Sequence, residues 1–155
     1  MPAGTFTFYT RNFGALNIDD LVDGGNDVKL ALVTSSYTPD TDETTGHDTW
    51  SDVSTNEISA GNGYTAGGQS LANKAKVAGT DAFAFDSDDV VWTASGGNIP
   101  AQRYAVMYVD GSLWGLTDPL VGYFLSDDAP ADVPATTDGN TLTYEAPSAG
   151  WFDIS

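Results

Sequence analysis

The sequence predicts an all-β fold: a single-domain antiparallel β-sandwich or barrel of about seven to nine short strands with one short N-terminal helix. Three features of the 155 residues lead there. β-branched and aromatic residues gather in short runs bounded by Gly, Pro, Asn and Asp. Turn signals recur about every 8–12 residues, the spacing of a sandwich or barrel. No helical pattern of about 10–15 residues alternates with these runs, as a parallel α/β sheet would require. No internal repeat or linker divides the chain, so residues 1–155 are expected to form one β-rich domain. A chain of this length buries roughly 68–70% of its unfolded surface.

Residues 5–9 (TFTFY) alternate β-branched and aromatic side chains and read as a first strand. Residues 1–10 are expected to dock on, or exchange with, a neighbouring molecule through it. Over residues 12–23, Phe13, Leu16 and Leu21 suit one helix face, and Gly24-Gly25-Asn26 ends it. This predicts a helix near residues 13–22, with Gly14 weakening it. Residues 28–34 (VKLALVT) predict a strand, with Val28, Leu30 and Leu32 on a buried face. Pro39 and Asp40 stop that ladder. A polar loop carrying Trp50 follows, and the glycine cluster of residues 61–68 permits tight bends.

Residues 69–76 fit either a strand or a helical turn. Residues 81–86 alternate, with Phe83 and Phe85 on one face, and residues 90–93 continue as a strand after Ser87-Asp88-Asp89. Residues 95–100 read as a loop. Residues 103–109 (RYAVMYV) are apolar on both faces and so belong at the centre of a sheet. Asp110-Gly111 is a hairpin dipeptide, and residues 120–125 are its expected partner strand. Residues 126–139, rich in Asp, Pro and Ala, predict an exposed loop, and residues 140–146 and 151–154 close the fold. The predicted core includes Leu30, Leu32, Phe83, Phe85, Val106 and Tyr123.

The charge balance is one-sided. Five Lys and Arg face 22 Asp and Glu, a formal net charge of −17. Such a surface repels phosphate backbones and excludes direct nucleic-acid binding from the expected functions. It suits solubility, salty surroundings, or docking on a basic or cation-rich surface. The absence of cysteine removes disulfides, thiolate metal sites and a cysteine nucleophile. No apolar run approaches the ~18 residues of a membrane span. Residues 1–4 lack the basic and apolar parts of a signal peptide, so a soluble protein made in a cytoplasm is expected.

Little here predicts catalysis. The single histidine, His47, lies in a polar loop and no G-x-S-x-G element accompanies it, so a solvated loop residue is expected. Asp40, Asp42, Glu43 and Asp48 place several oxygens in the same loop, as calcium requires, yet they miss the D-x-[DN]-x-[DN]-G frame. Asp86, Asp88 and Asp89 form a second such cluster. With so many acids, some pair at glycosidase spacing arises by chance, and no motif selects one. The glycine pairs lack the Lys-Ser/Thr of a phosphate loop. No catalytic residue and no cofactor is predicted, with loop-bound calcium the one metal considered. Most aromatics are expected to fill the core. Tyr37 and Trp114, both in connections, are the expected exposed anchors.

The strings LALVTSSYTPD and TWSDVSTNEISAGNGYTAGG, then FDSDDVVWTA (85–94), QRYAVMY (102–108) and PLVGYF (119–124), resemble a family of small tailed-bacteriophage virion structural proteins. The likeness covers residues 12–125. It implies a non-enzymatic virion component, foremost a capsid decoration (cement) protein that binds and stabilises the outer shell. Its partners would be the major capsid protein and copies of itself, and it would reside in the virion after synthesis in the bacterial host cytoplasm. A tail, baseplate or fibre component is the alternative that the same resemblance allows. A carbohydrate-binding β-domain, suggested by composition, is a second. For docking, the reading selects Thr5, Phe6, Thr7, Phe8 and Tyr9, together with Tyr37 and Trp114.

Overall fold

The run Asp27–Val33 is polar only at its start, at Asp27 and Lys29. Val28, Leu30 and Leu32 point one way and Ala31 and Val33 the other, and all five are sealed from solvent. Such a strand needs cover on both sides. The computed structural model, which describes residues 4–127 and 131–154, shows how the chain provides it. In chain order the strands are β1 (Thr7–Phe8), β2 (Asp27–Val33), β3 (Gln69–Ser70), β4 (Ala75–Ala78), β5 (Phe83–Asp86) and β6 (Val90–Thr93). They continue as β7 (Tyr104–Asp110), β8 (Ser112–Leu113), β9 (Leu116–Thr117), β10 (Leu120–Leu125), β11 (Thr141–Tyr144) and β12 (Phe152–Ile154).

Five of them form the large antiparallel sheet, in the order β1-β10-β7-β2-β3. β2 pairs with β7 without a break from Asp27↔Asp110 to Val33↔Tyr104. β7 pairs with β10 across a register shift between Leu120 and Gly122, a bulge that leaves Val121 unpaired. Smaller sheets, β12-β5-β4 and β11-β6, supply the second layer. Leu30, Leu32, Met107 and Phe124 of the large sheet meet Phe85, Trp92, Leu142 and Phe152 of this layer in one core. The all-β sandwich is therefore as the patterning indicates. Inside it, Gln102 Nε2 donates to the Tyr144 hydroxyl at 2.8 Å, which donates to Ser126 Oγ at 2.6 Å.

The other face of the large sheet is covered by a loop, residues 34–59. Tyr37 and Val53 join Ala31, Val33, Val106 and Tyr108 in a second core, with Trp50 stacked on the Tyr108 ring at 4.5 Å. Backbone bonds stitch the loop down: Ile58 N–H donates to Leu32 O at 3.0 Å and Leu120 N–H to Asp48 O at 2.9 Å. Asn12 adds a clamp, its amide donating to the carbonyls of Asp48 and Leu120. Two glycines permit close approaches. Gly68 has φ +80°, and a Cβ there would lie 2.1 Å from the Leu30 carbonyl; at Gly122 it would lie 2.2 Å from the Phe6 ring.

Several elements differ from expectation. Twelve strands form among the described residues, because two-residue pieces pair at sheet edges and in a hairpin tip. The single helix becomes two turns, α1 (Thr10–Phe13) and α2 (Ile18–Val22). α1 stops at Gly14, and Asn17 starts α2 afresh by accepting the Asp19 N–H on its side chain. The chain reverses not at Asp110-Gly111 but at Trp114-Gly115, whose φ values of 54° and 77° suit a tight hairpin joining β8 to β9. Leu30, Leu32, Phe85 and Val106 are buried as predicted. Phe83 is exposed and Tyr123 only half-buried, since each lies where its sheet runs out of cover.

Leu32→Ala should cost about 2–5 kcal/mol, because its site is enclosed and cannot collapse. A urea midpoint equal to that of the parent would refute the placement of β2. Stability should also fall in alkali. Burial pushes the hydroxyls of Tyr9, Tyr37, Tyr64 and Tyr108 upward and that of Tyr144 up to about 12. A folded pKa above the unfolded value of about 10 leaves stability intact below that pH and removes it as pH rises towards 12. Tyrosinate absorbance and the denaturation midpoint should change together in that window.

Candidate interaction surface

Apolar side chains are exposed on both sides of the second layer, Val77 on its outward row and Phe83 on the row that enters the core at Phe85. Register places Val77, Ala84 and Asp153 in one row across β4, β5 and β12. The neighbouring row, Lys76, Phe85 and Phe152, faces the other way, and its Phe85 and Phe152 enter the core. β4 lies at the edge of its sheet and all four of its residues are exposed. Among the described residues no strand pairs with its outer side, so alternate backbone groups there are open. The exposed large apolar residues are Phe13 (45%), Val77 (46%), Phe83 (47%) and Val91 (42%). All four belong to this layer or to its seam with β1. Phe13 packs on Phe8 at 5.0 Å, and Phe8 on Phe152 of β12 at 5.0 Å.

Shallow hollows follow the same flank. One of about 280 Å³ is lined by Phe6, Phe8, Trp151 and Phe152. Another, about 300 Å³, lies over Val77, Ala84 and Ala149. Lys76 sits over the Phe83 ring at 4.4 Å and pairs with Asp19 at 2.9 Å, so its charge is spent locally.

That pattern holds for every base in the chain. Arg11 pairs with Asp48 at 3.2 Å, Lys29 with Asp110 at 2.6 Å and Arg103 with Asp132 at 2.8 Å. Lys74 donates to the backbone carbonyls of Asp23 and Asn26. With all five cations engaged, the outward field is that of the remaining acids.

The residues selected from sequence are placed variously. Thr7 and Phe8 pair with Tyr123 and Gly122 of their own chain, while Phe6 packs against the core and Tyr9 is wholly buried. Thr5 is exposed beside them. Tyr37, expected at the surface, is buried: its hydroxyl meets those of Tyr9 and the Nδ1 of His47 at 2.8 Å each. His47 is consequently half-buried and stacked on Tyr37 rather than freely solvated. Trp114, also expected to be exposed, is half-buried, with its indole N–H donated to Asp20 at 2.9 Å. Both corrections have one cause: the connections carrying them fold back over neighbouring elements.

The acidic loop closes on itself. Asp40 Oδ1 accepts the Asp42 N–H, and Asp42 Oδ1 accepts the N–H groups of Thr44 and Thr45. Those bonds hold the Asp42 carboxyl far below its ordinary range. Asp48 is taken by Arg11, and Glu43 projects into solvent. Among the described residues no three His, Asp or Glu converge as a metal-ligand group. Asp86, Asp88 and Asp89 are spent separately, on Ser87 N–H, Asn73 and Ala146 N–H.

Sequence reasoning missed Phe13, Val77, Phe83 and Val91 as surface residues. Alternation assigns side chains to faces, but it does not reveal where a sheet ends. Compared with known proteins, the chain matches no family model, no curated protein and no solved structure. No helix of the described residues is long and apolar enough to cross a membrane.

Because the acids far outnumber their partners, salt should stabilise this fold. Exposed ion pairs contribute about 0–1 kcal/mol each, whereas screening relieves repulsion among all uncompensated acids as the Debye length shrinks from about 10 Å at 0.1 M to about 3 Å at 1 M. Calorimetry should show Tm rising across that range, by about 2–4 °C for each kcal/mol relieved. A falling Tm would mean that the ion pairs dominate.

Proposed function

We propose that the chain is a non-enzymatic virion structural protein, a capsid decoration protein that docks on the outer shell of a tailed bacteriophage and stabilises it. One observation carries this reading: Val77 is exposed on an unpaired strand edge, with Phe83 exposed on the strand beside it, while the opposite face of the large sheet is occupied by the 34–59 loop. An assembled protein needs a rigid patch that every copy presents alike, with apolar anchors at its centre. The resemblance of residues 12–125 to phage virion proteins names the kind of assembly, with the major capsid protein and neighbouring copies as partners.

Copies carrying −17 each repel one another. Docking therefore uses apolar anchors and main-chain pairing at β4, with salt or cations screening the acids. The Thr5–Tyr9 segment contributes in place, as the rim beside the Phe13 anchor, because leaving would cost the burial of Tyr9 and Phe6. The tail, baseplate or fibre alternative would use the same flank.

Val77→Asp and Phe83→Ser alter half-exposed side chains, so folding should weaken by about 1–2 kcal/mol and the variants should remain folded. Co-sedimentation with phage shells should weaken by about tenfold or more. Variants that bind shells like the parent, or labelled protein found only on tails, would refute the capsid reading.

A further inference from the structure

The covered face of the large sheet is not covered completely. The 34–59 loop lies over Ala31, Val33, Val106 and Tyr108, with Pro39 at the margin of its cover. The corner where Leu125 pairs with Tyr104, and Thr7 with Tyr123, is left open. There a groove of about 480 Å³ forms, floored by Tyr104, Tyr123 and Leu125 and walled by Thr5, Thr7 and Pro39. Its size falls within the ordinary range for small-molecule sites, about 300–1,000 Å³.

The two rings are held by their neighbours. Tyr104 meets the Tyr37 ring edge-on at 5.7 Å and the Tyr123 ring at 5.9 Å. Tyr123 packs on buried Tyr9 at 5.4 Å, and its hydroxyl bonds to Thr7.

From this arrangement we infer that the groove binds a neutral saccharide. Among the described residues its lining contains no charged side chain, in a chain with 22 acids, so neither an anion nor a cation finds a counter-charge from them. Four of its seven described lining residues carry a hydroxyl: Thr5, Thr7, Tyr104 and Tyr123. Thr7 and Tyr123 bond to each other, so a purely apolar guest would strip water chiefly from Thr5 and Tyr104, at about 1–3 kcal/mol for each hydroxyl left unpaired. A sugar satisfies both demands. Its C–H face lies on an aromatic ring while its hydroxyls bond to tyrosine and threonine oxygens. The rings are set before binding, so little ordering cost is incurred. This site lies on the sheet face opposite the docking flank and stands independently of that reading.

The test is titration calorimetry and proton NMR of the full chain with maltohexaose, cellohexaose, laminarihexaose and chitohexaose. Binding of at least one at millimolar concentration or better, with shifts confined to the Tyr104 and Tyr123 ring resonances, is expected. Tyr104→Ala should weaken it about tenfold. Tyr104→Phe, which preserves the packing, should weaken it less, and Val77→Asp should leave it unchanged. If Tyr104→Ala does not fold, the ring-resonance map and the Phe variant decide. Absence of binding by all four sugars overturns the inference. So does binding that Tyr104→Phe and Tyr104→Ala leave untouched, or occupation of the same rings by a polyproline decapeptide instead of any sugar.

Discussion

A strand that is apolar on both faces cannot rest on the outside of a two-layer sandwich. β2 is such a strand, and β7 beside it buries every residue from Ala105 to Val109. Each fully buried aliphatic side chain contributes about 1.5–3 kcal/mol relative to exposure, so leaving one face wet would forfeit much of a domain's stability of about 5–15 kcal/mol. The smaller sheets cover one face. The other is covered by a loop whose own backbone is satisfied by bonds to Leu32, Asp118, Leu120 and Asn12. Long polar loops are ordinarily exposed; this one is part of the core because the sheet beneath it demands a lid.

That demand explains the fates of the loop residues. Tyr37 and Trp50 are drawn inward to meet Tyr9 and Tyr108, and His47 follows Tyr37 through a hydrogen bond. The acids are left outside. Asp42 and Asp52 serve the loop as backbone acceptors, shaping its turns rather than meeting a common ligand. A surface of this sign keeps the molecule dispersed and forces any close contact to be apolar, main-chain or screened.

The two faces of the molecule consequently differ in what they offer. The second layer presents an open edge and isolated apolar side chains, a surface suited to lying against another protein. The lidded face presents a gap at its corner, where two tyrosines show their rings between hydroxyls. Size and chemistry separate these regions: the first is broad and shallow, the second concave and uncharged.

Much of the secondary structure could be read from patterning. The strands at 28–33, 83–86, 90–93, 104–109 and 120–125 follow from runs of β-branched and aromatic residues between turn formers, which is a local property of the chain. The all-β class follows from the same runs. Likewise the charge is a matter of composition alone. What the sequence could not decide was which apolar residues would find cover. Phe83 and Phe85 are identical in type and phase, yet one is exposed and the other buried. Tyr37 sits in a polar, turn-rich stretch and is nonetheless enclosed. Periodicity assigns a side chain to a face, but burial depends on what lies across that face, and its partners here are 28 residues away for Tyr37 and 94 for Trp114. Only the tertiary structure brings those partners together, because only the folded chain determines where each sheet ends and which loop lies over it.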